Sequence, residues 1–108
     1  MHQLPERDVQ NAIRAYLGSR GIACFRCNVG RVRTADGRFF DTGLPEGFPD
    51  LIALPGNGCI VFVEVKSKTG RLREAQKRFR EWATAKGYRY VVARSVEDVE
   101  TIAVTEWP

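Results

Sequence analysis

The sequence predicts an α/β domain, a mixed central β-sheet flanked by helices, and three observations carry that expectation. Apolar residues from Leu72 to Ala83 recur at helical spacing, two short apolar runs are joined by Pro55-Gly56-Asn57-Gly58, and a further β-forming run follows the helix. A β-hairpin joined through a helix to another strand belongs to a mixed sheet rather than to a bundle or a barrel. At 108 residues and 44% hydrophobic content, the chain is expected to form a single domain over residues 1–108, so any active site must be built within one core.

The elements follow in order. Pro5, Glu6 and Asp8 read as a helix start, with proline in the first turn and acids at the positive end of the dipole. Val9, Ile13, Tyr16 and Leu17 continue at helical spacing until Gly18 and Gly21 bracket the stop. Ile22 to Val29 is a strand candidate. Gly30 to Gly47 is rich in arginine and glycine, with Phe39-Phe40 as an apolar exception, and is expected to be a long loop or ribbon with a function. Leu51 to Leu54 and Cys59 to Val65 form the hairpin about its Pro-Gly-Asn-Gly turn. Leu72, Ala75, Phe79, Trp82 and Ala83 then line one face of a second long helix that Gly87 stops. Tyr88 to Ala93 reads as another strand. Ser95 with Asp98 resembles a capping box, and Val99, Ile102 and Ala103 suggest a short closing helix.

Charge is unevenly spread. Seventeen basic residues against thirteen acidic ones give a net +4 and a pI near 9.3. The stretch from Lys66 to Arg80 holds Lys66, Lys68, Arg71, Arg73, Lys77, Arg78 and Arg80 with Glu74 as its one acid, which is either a phosphate-facing stripe or an ordinary solvated helix face. Three cysteines suggest reduced thiols. Cys24 and Cys27 lack a second pair for zinc, the one histidine is His2, and a strand setting does not suit a redox dithiol. No apolar run is long enough to span a bilayer and the acidic start does not read as a signal peptide, so a cytoplasmic protein is expected.

The chemistry concentrates on the hairpin. Asp50 and Glu64 are equidistant in sequence from Asn57, so a turn centred there sets them opposite each other, close enough for two carboxylates to share a divalent cation. Strand alternation points Glu64 and Lys66 one way and Val61, Val63 and Val65 the other. The bland alternative makes Asp50 a turn residue and Glu64 with Lys66 a solvated pair. Against it, Glu64 interrupts an apolar run, where an unpaired acid is costly.

Gly47-Phe48-Pro49-Asp50 followed by Glu64-Val65-Lys66 resembles the PD-(D/E)XK nuclease signature. Glu6 and Gln10 in the first helix, Arg26-Cys27-Asn28-Val29-Gly30, the run from Lys66 to Leu72, Gln76 with Phe79, and Gly87 narrow the resemblance to the VRR-NUC branch. The resemblance implies a restriction-endonuclease-like core with Mg2+ or Mn2+ held by Asp50, Glu64 and the Val65 carbonyl. It implies that Lys66 orients the attacking water or steadies the phosphate, and that Gln76 and Glu6 are accessory site residues. Glu6 read on its own is equally a dipole partner at a helix start, and a surface glutamine is the alternative for Gln76.

The function expected is a divalent-metal-dependent DNA endonuclease, with Arg31, Arg33, Arg38, Lys68, Arg71, Arg73, Lys77 and Arg80 on the phosphate backbone. By analogy with stand-alone relatives, branched or Holliday-junction DNA in replication or repair is the expected substrate and a homodimer the expected assembly. A non-catalytic nucleic-acid-binding module and a dimerising structural protein are the alternatives.

Overall fold

The computed structural model describes residues 4–104, with the side chains of residues 103 and 104 outside that description. His2 and the side chain of Ala103 therefore lie outside the described residues. In chain order the elements are α1 (Glu6–Ser19), β1 (Ala23–Arg26), β2 (Arg31–Arg33), β3 (Phe39–Asp41), β4 (Leu51–Gly56), β5 (Cys59–Val65), α2 (Glu74–Ala85) and β6 (Arg89–Ala93). A 3-10 turn, Val96–Val99, then leads into α3 (Glu100–Val104).

Val9, Ile13 and Leu17 stack on one side of α1 because residues four apart share a helix face, and all three are buried. They meet Leu51 and Ala53 of β4, Val61, Val63 and Val65 of β5, Ala93 of β6, and Val99 with Ile102 from the chain end. Each large aliphatic side chain buried there contributes roughly 1.5–3 kcal/mol. The other face of the sheet is aromatic. Phe62 sits with its ring centre 5.9 Å from Phe48, 5.2 Å from Phe79 and 5.7 Å from Tyr88, all edge-to-face. Phe79 comes from α2, so that helix covers this second face.

The four sheet strands run in the order β1-β4-β5-β6, while β2 and β3 pair as a separate ribbon. Strands β1, β4 and β5 are successively antiparallel and β6 lies parallel to β5, with α2 as the crossover between them. The mixed sheet flanked by helices is thus the architecture that the element order predicts.

Three boundaries differ from expectation. The first strand stops at Arg26, because after the Cys27 N–H donates to the Asp50 carbonyl at 2.7 Å the chain leaves to build the ribbon. Helix α2 begins at Glu74, since Arg73 is extended and takes the cap position. Asp98 does not close a box on Ser95: it accepts the Arg94 N–H at 2.8 Å, because a tighter 3-10 turn starts there in place of an α-helix.

The hairpin register has a physical origin that symmetry about Asn57 misses. Asn57 at φ 54° and Gly58 at φ 75° form a two-residue turn closed by Gly56 facing Cys59. Continued evenly, that turn would set Leu51 against Glu64. An irregularity between Ala53 and Gly56 slips the register by one, so Leu51 faces Val63 and Asp50, just outside β4, arrives beside Glu64.

Gly47 brings the other side of the site into place. Its φ is 88°, and a Cβ there would run into the backbone carbonyl of Ala75 in α2. Gly47→Ala is therefore expected to cost clearly more stability than Gly58→Ala, which has a comparable positive φ of 75° with open space around it and should lose about 1 kcal/mol. Urea unfolding of the two variants checks this, and equal losses would mean that the close approach to Ala75 has no weight.

Candidate active site

Asp50 is tied at two points. Its Oδ2 accepts the Val65 N–H at 2.8 Å, and its backbone carbonyl accepts the Cys27 N–H. The carboxylate is thereby bound across to β5, while the main chain is held by the end of β1. Pro49 before it is fully buried, which fixes the approach of the chain.

Glu64 projects from β5 to the α2 side, as alternation with Val63 and Val65 requires, and is 1% exposed. Its Oε2 accepts a long hydrogen bond of 3.4 Å from Gln76 Nε2. Gln76 is oriented for this task, because its Oε1 accepts the Arg73 N–H at 2.8 Å and so turns the amide nitrogen toward Glu64. One side chain both caps the start of α2 and supports the buried acid.

The second oxygen, Glu64 Oε1, is buried with no hydrogen-bond partner among the described residues. The Asp50 carboxyl beside it offers a hydrogen bond only if one of the pair carries a proton. Burial first, then the hydrogen bond and charge of Asp50, push the Glu64 pKa up to about 9, while Lys66 works in the opposite direction. Lys66 follows two residues on along the chain and is itself buried.

Glu6 is exposed in the first turn of α1, and its influence is the smallest of those acting on Glu64. The structure thus joins Asp50, Glu64, Lys66 and Gln76 closely and leaves Glu6 at a distance felt through charge. Val65 supplies its N–H to Asp50 from a fully buried position in β5.

The basic residues divide into separate groups. Arg71, Lys77 and Arg80 line a cavity of about 560 Å3 together with Leu72, Val92, Arg94 and Asp98. Val92 is the β6 partner of Glu64, so the cavity reaches the strand next to Glu64 on the side away from Asp50, and none of Asp50, Glu64, Lys66 and Gln76 lines it. Arg73 is exposed at the α2 cap, and Lys68 is exposed in the loop after β5. Lys77 also pairs with Glu74 at 3.4 Å. Arg31, Arg33 and Arg38 are on or beside the β2–β3 ribbon, where Arg38 pairs with Asp36 at 2.9 Å.

Two residues that sequence reasoning left out belong to this region. Arg94 Nη1 donates to the carbonyls of Ser67 at 2.8 Å and Gly70 at 2.6 Å, which holds the loop that leaves Lys66. Tyr90 pairs with Phe62 in the sheet, and its hydroxyl is buried without a hydrogen-bond partner among the described residues. Burial and then the charge of Glu64 raise its pKa. The parallel register of β5 and β6 places both, and sequence carries no local signal for that register.

The donor set bears on metal binding. Among the described residues, no group of three or more His, Cys, Asp and Glu side chains could hold a metal ion. Two neighbouring carboxyls, one with an orphaned oxygen, suit a small hard cation that keeps several waters, as Mg2+ does. The three cysteines are free, and burial raises the thiols of Cys24 and Cys27, which makes them poor nucleophiles. No helix among the described residues is long and apolar enough to cross a membrane.

A mixed sheet that carries a buried glutamate beside a half-buried aspartate, an adjoining lysine and a basic cavity is the arrangement of a nuclease-type domain. The chain belongs to the VRR-NUC domain family, whose sequence profile matches residues 4–97. A solved structure described as a VRR_NUC domain superposes with a TM-score of 0.68 at 23% identity, covering 94% of this chain and 97% of that one. The likeness shows that the restriction-endonuclease-like fold is shared. No curated protein matches the chain.

The raised pKa of Glu64 makes a stability prediction. A carboxyl that binds its proton more tightly when folded stabilises the fold fully below its unfolded value of 4.5 and loses that contribution as pH rises toward about 9. In chelator, the melting temperature of the wild type is expected to fall across that window relative to Glu64→Gln. Differential scanning calorimetry of both proteins is the check, and parallel pH profiles would contradict a Glu64 carboxyl that holds its proton in the folded state.

Proposed function

We propose that the protein is a divalent-metal-dependent DNA endonuclease whose site is Asp50, Glu64 and Lys66, supported by Gln76. The observation that carries this reading is the buried Glu64, with its Oε1 orphaned and the Asp50 carboxyl beside it. A buried glutamate beside a second carboxyl, with one lysine to offset both, is unfavourable for folding alone, and a divalent cation would relieve it.

Asp50, Glu64 and the Val65 carbonyl would hold Mg2+ or Mn2+, which when bound lowers the pKa of water and neutralises charge on the phosphate. The chain's own groups do the rest. Gln76 fixes the orientation of Glu64, and the Asp50–Val65 hydrogen bond fixes that of Asp50. Lys66 stands two residues beyond Glu64 to stabilise charge that develops on the phosphate oxygens. Arg71, Lys77 and Arg80, from the cavity wall, neutralise the neighbouring DNA backbone, joined by the exposed Arg73 at the α2 cap and Lys68 in the loop after β5. Glu6 is an accessory residue that tunes Glu64 through charge.

Branched DNA of the kind met in replication and repair, Holliday junctions among it, is the substrate we propose. Each chain carries one such site, so cutting both strands calls for two copies, and we propose a homodimer.

Incubation of the protein with plasmid and branched DNA in Mg2+, Mn2+, Ca2+ or chelator tests this reading. Cleavage is expected with the first two ions, with binding and no cutting in Ca2+. Glu64→Gln and Asp50→Asn are each expected to lower the rate by on the order of a hundred-fold or more, with DNA affinity in Ca2+ largely kept. Undiminished cutting in chelator, or by either variant, would overturn the assignment.

Salt dependence tests the phosphate contacts. Replacing Arg71 and Arg80 together by Ala should reduce the slope of log affinity against log salt by roughly one to two units, alike for all sequences. A slope unchanged from wild type would return these residues to an ordinary solvated face.

A further inference from the structure

The β2–β3 ribbon takes no part in the chemistry above, yet it presents the most exposed aromatic side chains of the described residues. Phe39 is 61% and Phe40 59% exposed, and every residue of both strands is exposed. A solvated ribbon has no folding reason to hold two adjacent phenylalanines, since neither is buried by the fold.

The register sorts the ribbon into two faces. Arg33 pairs with Phe39 and Arg31 with Asp41, while Val32 pairs with Phe40. Cross-strand partners share a face, so Phe39 stands among Arg31, Arg33 and Asp41. The Arg31 guanidinium lies over the Phe39 ring, 4.7 Å from its centre. An exposed ring backed by a guanidinium plane, with a second arginine alongside, matches the chemistry of a nucleobase and its phosphate: bases stack on aromatic rings and arginine planes, and the cations meet the backbone.

The ribbon is also anchored at the site. It leaves β1 through Cys27, whose N–H holds the Asp50 carbonyl, and its two ends are joined by the Gly30 N–H to Leu44 carbonyl bond at 2.9 Å. The chain then returns through Gly47 and Pro49 to Asp50. A nucleic acid bound at Asp50 and Glu64 would therefore have the ribbon as an immediate neighbour along the chain.

We propose that the β2–β3 ribbon is a stacking arm for unpaired nucleobases, with Phe39 and the Arg31 plane as its platform. This rests on the nuclease reading and deepens it, because the arm is where paired and unpaired DNA are told apart. A duplex keeps its bases stacked internally and offers the ring no base face, whereas a flap, a junction or a single strand does. Arg31, Arg33 and Arg38 outnumber Asp36 and Asp41 on the ribbon, and this positive excess favours a polyanionic occupant over a second copy of the same arm.

The test measures binding, without cutting, of a duplex, a single strand and a flapped duplex of matched length, in Ca2+, by fluorescence anisotropy. Sedimentation of the free protein is measured beside it. Phe39→Ala is expected to weaken the single strand and the flap roughly five-fold or more and to change duplex affinity less than two-fold. Phe39→Trp should restore the discrimination, which a purely structural ring would not explain. Arg31→Ala with Arg33→Ala should weaken all three DNAs. Equal losses for duplex and flap with Phe39→Ala, or none, overturn the arm while leaving the nuclease reading intact. A shift from dimer to monomer with no selective loss assigns the ribbon to the interface between copies and overturns it as well. A wild type that binds none of the three DNAs overturns the arm and the nuclease reading together.

Discussion

A carboxylate at the centre of a sheet is the constraint around which the rest of this structure is arranged. Glu64 lies in β5 between fully buried Val63 and Val65, in a strand flanked on both sides by other strands. An acid placed there faces a desolvation cost of several kcal/mol if it stays charged and unpaired. The fold offsets that cost only partly, with one long hydrogen bond from Gln76 and the nearby charge of Lys66. The adjacent Asp50 makes the cost greater. A structure selected for stability alone would place an apolar residue at this position, so the arrangement favours whatever neutralises two carboxylates at once.

The sheet manages this by dividing its faces. The aliphatic core under α1 and the closing helix supplies apolar burial independently of the site, through Ile13, Leu17, Leu51 and Ile102, all fully buried. The α2 face can then hold polar groups at one end because aromatic rings fill the rest. Phe48, Phe62 and Phe79 pack edge to face at 5.2 to 5.9 Å, next along β5 from Glu64. Phe48 comes from the segment that carries Asp50, so the same aromatic cluster that buries α2 also fixes the acid. Gly47 permits this approach, as a larger residue would meet the Ala75 backbone.

Gln76 shows how a single residue can link local and tertiary structure. Its carbonyl oxygen closes the start of α2 on the Arg73 N–H, and its amide nitrogen reaches Glu64. The helix start and the site geometry are therefore one interaction. Arg94 plays a similar part at the other end of the site, where a guanidinium from the end of β6 gathers the carbonyls of the loop after Lys66.

Much of this was legible in the sequence because periodicity is local. The helical spacing of Val9, Ile13 and Leu17, the Pro-Gly-Asn-Gly turn, and an acid interrupting Val61 to Val65 determined the two long helices, the hairpin and the acidic pair, and their order determined the mixed sheet. What sequence could not decide depends on contacts between distant segments. Counting from Asn57 sets Asp50 opposite Glu64 correctly, but the irregularity between Ala53 and Gly56 that makes the count hold has no signal in the sequence. Parallel pairing of β5 with β6 places Tyr90 and Arg94 near the site, because that register is fixed by packing of the crossover helix rather than by a turn. The sequence left Gly30 to Gly47 as a loop or ribbon, and the pairing of β2 with β3, with the face that joins Arg31 to Phe39, was decided only when the chain closed on itself between Gly30 and Leu44. Local spacing determined which chemistry the chain carries, and long-range strand register decided which side chains meet to perform it.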